Sequence, residues 1–98
     1  MDVKQLLKGM VQREASDLYL TVERPPTYRV HGSTVPTNDP PLTNEQLESL
    51  AISLMRGQQR GEFETSMEMN MALYYKELGR FRVNVHRQRG NVGMVFRH

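Results

Sequence analysis

The sequence predicts an α+β domain in which a mainly antiparallel sheet packs against helices. Some stretches have the apolar spacing of amphipathic helices, and others alternate apolar and polar residues as half-buried strands do. The order along the chain is helix, strands, helices, strands, which is typical of this class. With 98 residues, 38% hydrophobic and 24% charged, the chain has the size and composition of one globular domain.

The first element is an amphipathic helix. Apolar side chains recur with helical spacing over residues 3–11, and Asp2 is placed to cap the first turn, with Gln5 three residues later. A basic amphipathic helix can also lie on a membrane surface, but this apolar stripe is short and has no aromatic residue. We therefore expect the helix to pack on the core.

Three strands are expected next. Alternation predicts a strand over 17–22, which the prolines at 25–26 interrupt. A hairpin follows, with strands over 27–30 and 33–36 joined by His31-Gly32, because glycine readily adopts the positive φ of a two-residue turn. His31 is accordingly expected to be a turn residue.

A second helical region follows the proline-rich loop 37–42. Thr43 is placed as its N-cap, and Gln46 completes a capping box. Gly57 is expected to end this helix as a C-terminal glycine, and a further short helix is expected over 58–64.

The last third of the chain predicts three strands. Methionine and leucine alternate with other residues over 67–73, a spacing typical of core rather than of a soft groove for a partner. Two further strands carry apolar faces over 81–85 and 92–96, on either side of Arg89-Gly90.

Positive charge is concentrated at the C-terminal end. Residues 1–79 carry 8 Lys/Arg against 11 Asp/Glu, a net charge of −3, whereas residues 80–98 carry 5 Lys/Arg and no acidic residue, a net charge of +5. Such asymmetry indicates an anionic partner, which composition alone leaves open between phosphate, nucleic acid, a lipid headgroup and an acidic protein surface.

The final hairpin sets two arginines opposite each other. If Arg89-Gly90 is a two-residue turn, the apolar positions of its strands match, and Arg82 faces Arg97. Like charges in this arrangement are destabilising unless an anion lies between them, and two guanidiniums on rigid strands suit a phosphate. The alternative is that both arginines extend into solvent or pair with Asp17 or Glu68.

Other catalytic or metal-binding chemistry is not visible. The chain has no cysteine, no GxxxxGK[ST] loop, no metal-type spacing of its three histidines and no nucleophile beside a base. No metal site is expected, and this chain alone is not expected to be an enzyme. The absence of cysteine, of a signal sequence and of a long apolar run fits a cytoplasmic protein.

Three segments in order carry a resemblance to a known family: EASDLYLTVERPPTYRVHG, PPLTNEQLESLAISLM and MEMNMALYYKELGRFRVNVHRQRGNVGMVFR. With these motifs, nearly the whole chain resembles the N-terminal domain of the PilT/PilU-type pilus-retraction ATPases of the secretion ATPase superfamily. Tyr19 stands where many retraction ATPases carry histidine, which favours the PilU-like branch. Assembly and type II secretion ATPases are less expected, since they usually carry a further domain before this one, whereas Met1 leads directly into the first helix.

The resemblance implies a PAS-like α+β fold with a sheet of about six strands. It also implies that residues 1–98 are a fragment, followed in the parent by a RecA-like ATPase domain that binds ATP and Mg. The parent would be a hexameric motor at the cytoplasmic side of the inner membrane that drives type IV pilus retraction and twitching motility. Its implied partners are that RecA-like domain, neighbouring subunits, an inner-membrane platform protein and a paralogous retraction ATPase, but no nucleic acid.

The same resemblance assigns a role to the arginine pair. Arg82 and Arg97 match two arginines of the family that reach the ATP phosphates from the last hairpin of this domain. Arg80, Arg87 and Arg89 match no such motif and are expected at interfaces or in solvent. Two alternatives remain: a small basic nucleic-acid-binding module, disfavoured by the few aromatic residues, and a PAS-like ligand sensor, disfavoured by a core that looks filled.

Overall fold

Six antiparallel strands form one sheet, and three helices cover one of its faces. The structure, a computed structural model, describes residues 1–98 and confirms the α+β class. The elements are α1 (Val3–Gln12), β1 (Asp17–Leu20), β2 (Thr27–Val30), β3 (Ser33–Pro36), α2 (Asn44–Leu54), α3 (Gly57–Ser66), β4 (Glu68–Tyr75), β5 (Gly79–Gln88) and β6 (Asn91–Arg97). No helix combines the length and the apolar character needed to cross a membrane.

The strand order in the sheet is β3-β2-β1-β6-β5-β4. Strands β1 to β3 form one meander and β4 to β6 form another, and the pairing of β1 with β6 joins them at the centre of the sheet. This central pairing brings the start of the chain beside its end, so residues distant in sequence become neighbours.

The core lies between the sheet and the helices. Seventeen buried apolar side chains form one cluster. The central strands contribute Leu18, Leu20, Phe81, Val83, Val85, Val92, Met94 and Phe96, and the helices contribute Leu7, Met10, Leu47, Ala51 and Phe63. Met69 and Met71 pack half-buried against this cluster, which confirms that most of the methionine stripe belongs to the core. Met67 does not, because it adopts a left-handed conformation at the end of α3.

Helices α1 and α2 begin at the residues that the capping rules predict. Asp2 accepts a hydrogen bond from the backbone N–H of Gln5, and Thr43 and Gln46 form the predicted capping box. The prediction for Gly57 was wrong. Helix α2 ends at Leu54 with an extended residue after it, and Gly57 is instead the first residue of α3.

Two predicted strand bounds reach too far. Strand β4 begins at Glu68 rather than at Met67, and β1 ends at Leu20 rather than at residue 22, because Val22 leaves the sheet and forms an isolated bridge with Leu42. Both two-residue turns were predicted correctly. His31-Gly32 has φ values of 50° and 81°, and Arg89-Gly90 has φ values of 54° and 79°, as hairpin turns of this type require.

Candidate functional site

The face of the sheet away from the helices, called the open face below, carries the candidate site. Strand residues alternate between the two faces, so every second residue of β4, β5 and β6 points away from the core. On β1, β5 and β6 the residues that point to the open face include Asp17, Arg82, Asn84, Val95 and Arg97.

Arg82 and Arg97 are direct cross-strand partners, as the sequence predicts. Together with Asn70, Asn84 and Val95 they line a basin of about 380 Å³. The two strands are held in register by a continuous ladder, so both arginines are presented from a rigid surface.

The pairing of Arg97 decides one of the alternatives. Its Nε donates to the Asp17 carboxylate at 3.1 Å, although the two residues are 80 positions apart in sequence. The Ser16 hydroxyl donates to the other Asp17 oxygen at 2.7 Å. The alternative of pairing with Asp17 therefore holds for Arg97, whereas Arg82 makes no ion pair or side-chain hydrogen bond in the structure.

These residues belong to one row that crosses four strands. Arg82 faces Arg97, Arg97 faces Asp17, and Asp17 faces Arg29. Three arginines and one carboxylate give this row, the arginine row, a formal charge of +2. Because β5, β6, β1 and β2 lie side by side, the charge forms a stripe across the open face. Such a stripe attracts an anion through several guanidiniums at once.

The polar residues beside the row satisfy one another. Asn84 Nδ2 donates to Glu68 at 2.9 Å and to Asn70 at 3.0 Å, and Asn84 Oδ1 lies 3.2 Å from His86 Nδ1. The alternative partner Glu68 is thus used by Asn84 and forms no ion pair with either arginine. The donors left for an external anion are those of the arginines and Nδ2 of Asn70, which makes no hydrogen bond in the structure.

Arg87 lies on the opposite side of the sheet. It makes two hydrogen bonds of 2.9 Å to Glu48 and one of 3.0 Å to Glu64, and its guanidinium lies over the Phe63 ring. The hydrogen bond to Glu48 is the largest of the causes that raise the Arg87 pKa. The expectation of interface or solvent was wrong here. Arg87 is two residues after Val85 and four after Val83 on the same strand, so its side chain points to the same, buried face of the sheet. This alternation is the sequence signal that could have placed Arg87 on the helix side.

The other basic side chains of this end lie outside the candidate site. Arg80 is exposed beside the β4–β5 turn, and Arg89 is a turn residue. His98 is stacked on Phe81 and lies 2.9 Å from the Leu78 carbonyl. No group of three His, Cys, Asp or Glu side chains is arranged to hold a metal ion.

Comparisons of sequence place the chain beside two ATPases of Pseudomonas aeruginosa. It is 39% identical over 97 residues to the type IV pilus ATPase PilU and 37% identical over 97 residues to the type IV pilus retraction ATPase PilT. These matches cover 99% of this chain but only 25% and 28% of the relatives, so the chain spans about a quarter of their length. No protein-family model matches.

Comparisons with solved structures find the same group of ATPases as the sequence comparisons. A crystal structure of the pilus retraction motor PilT with bound ADP matches the whole chain with a TM-score of 0.90 and 32% identity, over 29% of that protein. The ATPase DotB of Legionella pneumophila matches 97% of the chain with a TM-score of 0.81, over 27% of that protein. Its identity of 18% shows a shared fold and no more. The predicted resemblance and α+β fold are confirmed.

Proposed function

The chain is homologous over its whole length to the N-terminal domain of the PilT/PilU-type pilus-retraction ATPases, and from this relationship we propose that it forms that domain of a hexameric motor driving type IV pilus retraction. In this proposal residues 1–98 precede a RecA-like domain that binds ATP with Mg. The identity to PilU exceeds that to PilT by only 2 percentage points, in the direction of the PilU-like branch favoured by Tyr19.

The observation that carries the proposal is the pairing of Arg82 with Arg97 on the open face. We propose that both guanidiniums bind phosphate oxygens of the nucleotide held by the ATPase domain. The bound nucleotide supplies the phosphoryl group, on which negative charge develops during hydrolysis. Donors positioned in advance stabilise such charge, as arginine fingers do.

The residues present fit a phosphate. Arg82 has no partner within the domain, and the only ion pair of Arg97 is made through its Nε, so the terminal nitrogens of both residues are available. The basin between them is lined by the polar side chains of Asn70 and Asn84 and by the smaller apolar ones of Ala72 and Val95.

The remaining partners follow from the same proposal. The open face would meet a RecA-like domain, and neighbouring copies of the motor would complete the hexamer. An inner-membrane platform protein and a paralogous retraction ATPase would contact other surfaces. The motor would act in the cytoplasm, peripheral to the inner membrane.

The test uses the full-length parent protein. ATP hydrolysis and hexamer assembly are compared for the wild type, Arg82→Ala and Arg97→Ala, with Arg89→Asn as the control. Arg89→Asn removes one arginine from the same hairpin, and asparagine tolerates the positive φ of the turn. We expect Arg82→Ala and Arg97→Ala each to lower kcat by about 10²-fold or more while hexamers persist, and the control to hydrolyse ATP as the wild type does.

Unchanged hydrolysis in both alanine variants would contradict the proposal. The arginine row would then bind another anion or form an interface without a catalytic role.

A further inference from the structure

The Asp17 carboxylate has both of its oxygens engaged, on a face that otherwise carries positive charge. Oδ1 accepts from Arg97 Nε at 3.1 Å, and Oδ2 accepts from the Ser16 hydroxyl at 2.7 Å. The Asp17 side chain is only 11% exposed, whereas that of Arg97 is 70% exposed. The carboxylate is thus a fixed anchor at the base of a side chain that extends into solvent.

The atom through which Arg97 is anchored matters. A guanidinium has five N–H donors, and the bond from Nε uses one of them. The four donors on Nη1 and Nη2 make no hydrogen bond within the domain. A carboxylate that bound the terminal nitrogens would block the fork that binds phosphate. Asp17 instead holds the side chain by its inner nitrogen and leaves the fork open.

Arg82 provides the contrast within the same site. It lies directly opposite Arg97 at the same height on the sheet but has no acceptor to hold it. The two arginines therefore differ in side-chain conformational freedom before an anion binds. The Arg97 side chain is held in one direction, whereas the Arg82 side chain keeps its rotamer freedom until binding.

We infer that Asp17, itself held by Ser16, is a positioning residue that directs the Arg97 guanidinium toward the phosphate of the proposed function. The inference rests on that function for its ligand. Beyond that function, the inference assigns different states to the two arginines before binding. The Arg97 side chain is already ordered by Asp17, whereas the Arg82 side chain becomes ordered only when the anion binds. Preordering a long side chain removes part of the entropy cost of binding.

A simpler role for Asp17 predicts the opposite effect. If Asp17 only offsets the repulsion among the arginines, its removal raises the charge of the row from +2 to +3 and tightens anion binding. If Asp17 positions Arg97, its removal releases the side chain and weakens binding despite the added positive charge. The direction of the change therefore separates the two roles.

The experiment measures the binding of pyrophosphate to the 98-residue chain at low ionic strength by NMR titration. We expect Asp17→Ala to weaken binding about threefold to tenfold, since ordering a long side chain has an entropy cost of this order. Asp17→Asn keeps an acceptor oxygen for Nε and is expected to restore wild-type affinity. The Arg97 Nε–H resonance, protected from exchange in the wild type, is expected to be lost in Asp17→Ala alone.

Ser16→Ala gives a test that leaves the charge unchanged. It removes one anchor of Asp17 but keeps the carboxylate, so the positioning role predicts a weakening of about twofold and charge compensation predicts none. This variant decides the matter even if Asp17→Ala fails to fold. Arg89→Asn serves as the control, because residue 89 lies in the turn after β5, about 23 Å along the chain from Arg82.

The outcomes separate this inference from the proposed function. If Arg97→Ala weakens binding but Asp17→Ala binds as tightly as the wild type or more tightly, the positioning role is wrong and the phosphate site stands. If Arg82→Ala and Arg97→Ala both bind pyrophosphate like the wild type, the phosphate site fails and the inference fails with it.

Discussion

The arginines of the β5–β6 hairpin have different environments because side chains on a strand point alternately to the two faces of the sheet. Arg82 and Arg97 point to the open face, and Arg87 points to the helix side, since side chains alternate along a strand. The acidic residues near each arginine then decide whether its guanidinium forms an ion pair. Arg97 meets Asp17 of β1, Arg87 meets Glu48 of α2, and Arg82 meets no carboxylate. The excess charge of the C-terminal segment is thus only partly free for a ligand.

Arg87→Ala is expected to lower the free energy of unfolding by about 2 kcal/mol. The substitution removes three hydrogen bonds that connect β5 to α2 and α3, and it uncovers the Phe63 ring. The loss stays below that of a fully buried pair because Glu48 is about one-third exposed and can be hydrated. Urea denaturation measures it, with Arg89→Asn as a control expected within about 0.5 kcal/mol of the wild type. Equal denaturation midpoints for Arg87→Ala and the wild type would show that the cluster is not stabilising.

Among the elements, α1 depends on a close contact with β2. The Tyr28 hydroxyl of β2 donates to the Leu6 carbonyl of α1 at 2.6 Å, and the Arg13 guanidinium lies 4.9 Å from the Tyr28 ring centre. Burial raises the pKa of Tyr28, and the Arg13 charge opposes that shift. The contact requires glycine at position 9, because a Cβ there would lie 2.6 Å from the Tyr28 hydroxyl oxygen.

Gly9→Ala is expected to reverse the usual helix propensity effect. In an exposed helix the change stabilises by about 1 kcal/mol, but here we expect a destabilisation of about 1–3 kcal/mol from overpacking. In a Tyr28→Phe background the hydroxyl is absent, and the ring carbon that carried it lies at an ordinary 3.4 Å. The other close atom, Arg13 Nη1 at 2.8 Å, is the end of a flexible side chain that can move away. The Gly9→Ala penalty should therefore shrink or change sign there. A thermal-denaturation double-mutant cycle measures this, and additive effects would rule out the contact.

At the scale of the whole molecule, the arginine row places a formal charge of +2 on the open face. The helices on the other face are nearly balanced in charge, because Glu45, Glu48, Glu62 and Glu64 are offset by Lys4, Lys8 and Arg60. All three phenylalanines are buried in the core, and Tyr19 and Tyr74 are the aromatic residues that face outward on the sheet. The open face therefore has the charge to bind one small anion but few rings on which bases could stack.

The alternative of a nucleic-acid-binding module can be tested by the affinity and salt dependence of DNA binding. With three arginines in the row, we expect single-stranded DNA binding to show a slope of log K against log salt no steeper than about −2. We also expect Kd values no tighter than about 10⁻⁴ M at physiological salt. Fluorescence anisotropy with a labelled oligonucleotide measures both quantities. A much steeper slope with micromolar affinity would favour the nucleic-acid-binding module over the phosphate site.

The sequence alone was sufficient wherever the interactions are local. The cap of α1, the capping box of α2 and the two hairpin turns depend on residues within three or four positions of one another. The register that sets Arg82 opposite Arg97 follows from such a turn. The error at Gly57 also has a local cause, since a glycine near a helix end is compatible with ending one helix or beginning the next.

Only the tertiary structure decided which charges are paired. Arg97 meets Asp17 because β1 pairs with β6 across the middle of the sheet, and no local spacing encodes that strand order. Arg87 likewise meets Glu48 and Glu64 only once two helices pack over β5. Pairs between residues distant in sequence depend on how whole elements pack. The composition of this chain therefore determined that its end is basic, and its fold determined which of those arginines keep donors free for an anion.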